Sequence, residues 1–369
     1  MHPVLAESPI ERIAVFRALV LGDLLCATPA LRALKAAWPN AELMLIGLPG
    51  AQELAARLPQ VDRFEPFCGF PGLPERRPDL DALPALITRL RARPADLLVQ
   101  LHGSGGIVNP LLACFGARRV AGFVDPGEYC AEPALHTVWP RTGHEIARLL
   151  HLIDSLGLPR CGRHLDFPVQ QQDRRALADA VPELGLGAPI ACVHVGAQLP
   201  SRRWLPERFA AVADRLAAAG FRVVLTGTPD EAPLIRTVQQ HMRSAALDLG
   251  GRTTLWTLGA LLERARLLVC NDTGVQHVAA ALGTPSIAVS SGADVARWAP
   301  LDATRHRVLW ADAACRPCGH RECPTAHECA RGVSVDAVVA AALALLRQPD
   351  DRGRAVAPEA RAVAATAAG

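Results

Sequence analysis

A carboxylate, a hydroxyl, a glycine and an imidazole crowd into Asn271-Asp272-Thr273-Gly274-Val275-Gln276-His277. The chemistry of Asp272, Thr273, Gly274 and His277 depends on what flanks them. Ahead lies the apolar run 267–270, behind lies an Ala-rich stretch that closes at Gly283 and Pro285, and then a second apolar run, 286–289. This reads as strand, polar loop, helix, strand. A helix N-terminus offers backbone N–H groups to an anion, and open α/β sheets bind ligands at the carboxyl ends of their strands. The plainer reading is that Asp272 or Thr273 caps the helix while His277 packs in its first turn. Four such positions in one turn favour a ligand site.

Other strand ends supply matching groups. Arg202 and Arg203 follow the run 189–196, and guanidinium forks suit phosphate oxygens; an isolated pair would otherwise be a solvated surface pair. Glu231 follows a run ending at Thr226, where an acid can accept hydrogen bonds from a ribose diol or merely open a helix. Asp23, in the turn after residues 12–16, could take a proton from a hydroxyl or cap the next helix. The turn His102-Gly103-Ser104-Gly105-Gly106 allows a close backbone approach or simply turns tightly. Asp79-Leu80-Asp81 matches the metal-binding Asp-x-Asp of some sugar transferases but reads better as a helix start. Cys315, Cys318, Cys323 and Cys329 could hold a structural zinc. Their second pair lacks the two-residue spacing, so a disulfide and free thiols stay open. No Walker loop, dinucleotide glycine fingerprint or Gly-x-Ser-x-Gly elbow occurs.

The elements that must position these groups come in two similar halves. Strand 12–16, helix 24–38 and strand 42–47 form a βαβ unit, with Pro29 either in the first turn or at a kink. Residues 66–80 read as a surface loop, 96–101 as a strand, 120–145 as alternating loop and aromatics, and 144–156 as a helix. A crossover at 166–183 leads to a second run of strands and helices: strand 189–196, helix 206–219, strand 222–226, helix 235–242, strand 247–249 and helix 255–264. The expected division is a loose leader at 1–10, a domain at 11–170, a second at 171–347 and a disordered tail at 348–369. A final apolar helix spans 334–347. The fold class expected is α/β, with two doubly wound domains facing a cleft.

Composition narrows the function. The chain has 369 residues, more than one core usually holds, so two domains fit. A net charge of +3 is too small to imply nucleic acid. The start lacks a signal peptide's basic and apolar regions, and no apolar run reaches the roughly 20 residues that span a bilayer. The seven cysteines outside the cluster, of eleven, are scattered singly, as in a reducing compartment. A cytoplasmic protein is expected.

Three segments together resemble glycosyltransferase family 9, the ADP-heptose:lipopolysaccharide heptosyltransferases. They are Leu21-Gly22-Asp23 with Thr28-Pro29-Ala30-Leu31, then Arg202-Arg203-Trp204-x-Pro206-Glu207-Arg208-Phe209, then Asn271-Asp272-Thr273-Gly274-x-x-His277 with Ala280-Ala281-Leu282-Gly283-Thr284-Pro285. The resemblance runs from about residue 13 to 346. It implies a GT-B fold of two Rossmann-like domains, with the acceptor mainly on the first and the nucleotide sugar mainly on the second. It implies inverting transfer with neither a metal nor a cofactor. By position it implies Asp23 as catalytic base and Arg17 as the basic, acceptor-binding residue of the first loop. Arg202 stands in place of the family's phosphate-binding lysine, Glu231 matches the ribose acid, and Asp272 matches the residue on the sugar hydroxyls. Thr273, Gly274 and His277 lie around the diphosphate. The partners implied are a nucleotide diphosphate sugar, ADP-heptose foremost, and a lipid-linked saccharide at the inner membrane's cytoplasmic face. The alternatives are a GT-B nucleotide-sugar epimerase, which would need no acceptor, and a non-catalytic nucleotide-sugar binding protein.

Overall fold

The computed structural model describes residues 1–185 and 187–347; the tail at 348–369 lies outside them. The chain divides into one compact unit, Met1–Pro168, and a second that begins at Val169.

The first unit is built on six strands, β1 (Arg12–Phe16), β2 (Glu42–Gly47), β3 (Arg63–Pro66), β4 (Leu97–Gln100), β5 (Arg119–Val124) and β6 (His136–Val138). Every pairing is parallel, in the order β3-β2-β1-β4-β5-β6. The central β4 is buried along its whole length, as a strand covered by helices on both faces must be. One side of the core closes around Phe16, which meets Phe67 edge-on at a centroid distance of 5.0 Å.

The second unit repeats the plan with β7 (Ile190–His194), β8 (Arg222–Thr226), β9 (Leu247–Asp248), β10 (Leu267–Asn271), β11 (Ser286–Val289) and β12 (His306–Leu309). Its order is β12-β11-β10-β7-β8-β9, again all parallel. Counted from its own first strand, this is the same winding as in the first unit. Each sheet therefore reverses direction once, between β1 and β4 and between β7 and β10. Loops leaving those strands splay apart there and open a crevice above the carboxyl edge.

Several expectations need correction. The leader is not loose: residues Pro3–Ala6 form a helical turn, Leu5 is buried, and the His2 N–H donates to the Leu156 carbonyl at 2.7 Å. The segment read as alternating loop and aromatics contains β5 and β6, whose short runs carry glycine and histidine and so lack a plain apolar pattern. Strands β3 and β12 are edge strands with charged residues, hidden for the same reason. Helix Leu21–Ala37 starts three residues earlier than its pattern suggests, so Asp23 lies within its first turn and Pro29 in its interior.

Candidate functional site

In the first unit the reversal point brings Asp23 and Arg17 together. Arg17 follows β1 directly and is fully buried. Its guanidinium donates to the Asp23 carbonyl from Nε at 3.3 Å and Nη2 at 3.1 Å, and from Nη1 to the Leu101 carbonyl beyond β4. Nη2 also donates to Glu145 Oε1 at 3.0 Å and lies 3.6 Å from Asp23 Oδ1. Glu145, itself buried, is the first residue of helix Glu145–Ser155, which packs on helix Leu21–Ala37. One guanidinium thus ties two strand ends to two helix starts. The expectation that Arg17 holds an acceptor does not fit: its donors are spent inside the protein, and no part of it reaches solvent. The Asp23 side chain is 19% exposed, so it is reachable. It is not the helix cap, since Val20 occupies that position without a side-chain bond.

The glycine-rich turn beyond β4 is shaped by packing. A Cβ on Gly105, at φ +94°, would lie 2.2 Å from Asn109 Nδ2 and 2.4 Å from the Phe123 carbonyl. His102 is nearly buried beside Phe16, with Nε2 3.6 Å from Glu75 Oε1. Asp79 accepts from the Ala82 N–H at 3.1 Å in the turn ahead of helix Leu83–Ala92, whose N-cap is Ala82 without a side-chain bond, so neither Asp79 nor Asp81 caps the helix itself.

In the second unit the motif gathers at the ends of β7, β10 and β11. Asn271, the last residue of β10, is wholly buried. Its Oδ1 accepts from the Trp204 N–H at 2.8 Å, and its Nδ2 donates to the Val195 and Gly196 carbonyls at 2.8 and 3.1 Å. It clamps the Arg202–Trp204 segment onto the crevice, a role the sequence did not assign. Trp204 adds bonds from Nε1 to the Ala330 and Val333 carbonyls.

Asp272 accepts from the Ser290 hydroxyl at 3.1 Å. Burial pushes its carboxyl above the usual range, while the Ser290 bond and the charges of Arg202 and Arg316 pull it part of the way back. Thr273 is the N-cap of helix Gly274–Ala281, yet its side chain makes no capping bond, so the helix start remains open to an anion. His277 is 5% exposed and meets Trp298 in a T-shaped contact, centroids 6.3 Å apart. Arg202 donates from Nη2 to the Cys318 carbonyl at 2.6 Å, and its Nε is buried without a partner.

Glu231 lies in the turn Pro229–Glu231, where it accepts from the Thr228 N–H at 2.8 Å as half of a capping box. Its carboxylate also overhangs β7: a Cβ on Gly196 would fall 1.9 Å from Oε1. The buried His194 faces it; burial lowers the imidazole's pKa, Glu231 raises it in part, and Nδ1 lies 3.1 Å from Thr226 Oγ1. All eleven cysteines are free thiols, and no group of three or more His, Cys, Asp or Glu among the described residues could hold a metal ion, so the zinc reading of the cysteine cluster gains no support.

Comparison with known proteins agrees with this geometry. The family model described as glycosyltransferase family 9 (heptosyltransferase) matches residues 85–328. Lipopolysaccharide heptosyltransferase 3 of Escherichia coli is 24% identical over 289 residues, covering 76% of this chain and 83% of that protein. A glycosyl transferase family 9 structure from Veillonella parvula superposes with a TM-score of 0.76 at 22% identity, covering 93% of this chain and 99% of that one. The E. coli ADP-heptose lps heptosyltransferase II gives 0.71 at 19% identity, covering 90% and 98%. The α/β, GT-B architecture expected from the sequence is the architecture observed.

Proposed function

Because the chain belongs to glycosyltransferase family 9, we propose that it transfers a heptose from ADP-heptose to a saccharide of the lipopolysaccharide core, with Asp23 as base. The observation that carries the assignment is the convergence of Arg202, Asp272 and an uncapped helix start at one sheet's reversal point. An anion-ready crevice is what a nucleotide diphosphate sugar requires. Membership in a transferase family favours transfer over epimerisation or binding alone.

Asp23 withdraws the proton of an acceptor hydroxyl as that oxygen attacks the anomeric carbon of the donor. The new C–O bond forms while the bond to the diphosphate breaks, and the electron pair leaves with ADP. Attack opposite the leaving group inverts the anomeric centre. Arg202 and the N–H groups at Gly274 meet the negative charge that grows on the departing diphosphate. Asp272 accepts hydrogen bonds from sugar hydroxyls and Glu231 from the ribose diol. His277 and Thr273 line the turn around the diphosphate and sugar. Arg17 fixes the Asp23 backbone and leaves the acceptor to other groups.

No helix among the described residues is long and apolar enough to cross a membrane. Val20, Leu80 and Ile107 are large, exposed apolar side chains in the loops that follow β1, β3 and β4. Apolar side chains around the Asp23 edge suit a lipid-linked acceptor reached at the cytoplasmic face of the inner membrane.

The test compares Asp23→Asn with the unaltered chain, using ADP-heptose and a heptose-deficient core acceptor. Turnover should fall by roughly 10²- to 10⁴-fold, the scale of general base catalysis, while ADP affinity stays unchanged. Undiminished turnover would remove Asp23 from the reaction.

A further inference from the structure

The cysteine-rich segment between β12 and helix Glu328–Arg331 has no place in the reading above, yet it folds onto the donor crevice. The Cys318 N–H donates to the Gly292 carbonyl at 2.7 Å, and the Cys318 carbonyl accepts from Arg202 at 2.6 Å. The Ser201 N–H donates to the Arg321 carbonyl at 3.1 Å, and the Ser201 hydroxyl to that of His320 at 2.5 Å. The segment is therefore stitched to the chain beyond β7 and to the chain beyond β11.

These bonds deliver Arg316. Its Nη1 donates to the Ser290 carbonyl at 2.5 Å and its Nη2 to the Ala293 carbonyl at 2.9 Å. Ser290 is the residue whose hydroxyl holds Asp272. Between Ser290 and Ala293 sits Gly292, where a Cβ would lie 3.7 Å from Arg202 Nε and 3.0 Å from Cys318 Cβ. Two guanidinium groups thus straddle one short segment, and both act on the Asp272 carboxylate. Two cations against one anion leave this corner net positive beside an uncapped helix start. A fork bonded to neutral carbonyls keeps its full charge for a ligand.

We propose that Arg316 binds the diphosphate of the donor alongside Arg202, and that the cysteine-rich segment serves to carry it there. This rests on the donor reading of the second unit and adds a residue to it. The competing account is that Arg316 only staples the segment to the β11 loop.

The experiment measures calorimetric binding of ADP and of adenosine to the full chain, to Arg316→Gln and to Arg316→Lys. A lost charged hydrogen bond corresponds to about 10- to 100-fold in affinity. Arg316→Gln should weaken ADP by that amount and leave adenosine within about twofold, since adenosine has no phosphate to lose. Arg316→Lys, which keeps the charge but cannot fork to both carbonyls, should retain ADP binding better than Arg316→Gln. If Arg316→Gln does not fold, the lysine variant decides: ADP weakened more than adenosine supports the proposal, and ADP unchanged or weakened equally with adenosine overturns it. Equal weakening of ADP and adenosine leaves Arg316 a staple, and unchanged ADP affinity removes it from the site. A wild-type chain that binds no ADP would overturn the donor reading itself.

Discussion

Asp272 shows how a residue's surroundings set both its chemistry and its drag on stability. Its carboxyl lies above its ordinary value of 3.8 because burial disfavours the charge more than Ser290, Arg202 and Arg316 favour it. The folded chain therefore binds that proton more tightly than the unfolded chain. The resulting penalty is fully present above the raised folded value and is relieved as pH falls towards and below 3.8. Asp272→Asn should raise the melting temperature near neutral pH, and the gain should shrink as pH is lowered to about 4. A gain that stays constant with pH would show that the carboxylate's ionisation is not its source. The same variant should weaken donor binding, because an amide cannot replace the acceptor pattern of a carboxylate towards sugar hydroxyls. At this scale the sequence was informative about residue type and silent about direction. Asn271 stood in the motif without a role, and only the three bonds to Trp204, Val195 and Gly196 reveal a clamp. Arg17 stood as the basic, acceptor-binding residue of the first loop until its donors were traced inward.

Among the elements, helix Leu21–Ala37 carries Asp23 and tolerates a proline inside it. Pro29 has no N–H for the Leu25 carbonyl, its partner four residues back. The Thr28 hydroxyl donates to that carbonyl instead, at 2.8 Å, and accepts from the Asp166 N–H at 3.0 Å. The Thr-Pro pair is a repaired gap in the helix ladder. Thr28→Val should cost about 2–6 kcal/mol, since it strands the Leu25 carbonyl and the Asp166 N–H at roughly 1–3 kcal/mol each. Pro29→Ala should be neutral or stabilising, because alanine restores the ladder bond and is the better helix former. Urea unfolding of both variants checks this, and equal destabilisation would contradict the repair. The proline's placement was open in the sequence because Thr28 also makes a credible first-turn cap. The choice was made by buried apolar residues upstream, Leu24 and Leu25, which extend the helix to Leu21.

Over the whole molecule, each unit closes its own sheet and core. The donor groups all lie in the unit that begins at Val169. A ligand bound to the folded form alone stabilises by about 2.7 kcal/mol at 100 times its Kd. Calorimetry with ADP should therefore raise the unfolding temperature of the second unit and leave a transition of the first in place. If every transition moves by the same amount, the two units unfold as one and the ledger of independent cores is wrong.

The sequence by itself determined the central strands and the helices between them, the strand ends that bear polar residues, and the family, because these depend on periodicity and on short motifs local to the chain. Strand order, the common winding of the two sheets, the burial of Arg17 and the bonding of Arg316 to Ser290 and Ala293 were decided only in the tertiary structure. Those are contacts between segments tens of residues apart, set by which faces must be buried together. No local pattern records them. The cysteine-rich segment is the clearest case: its spacing left zinc, a disulfide and free thiols open, whereas its fold carries Arg316 to the Ser290 and Ala293 carbonyls.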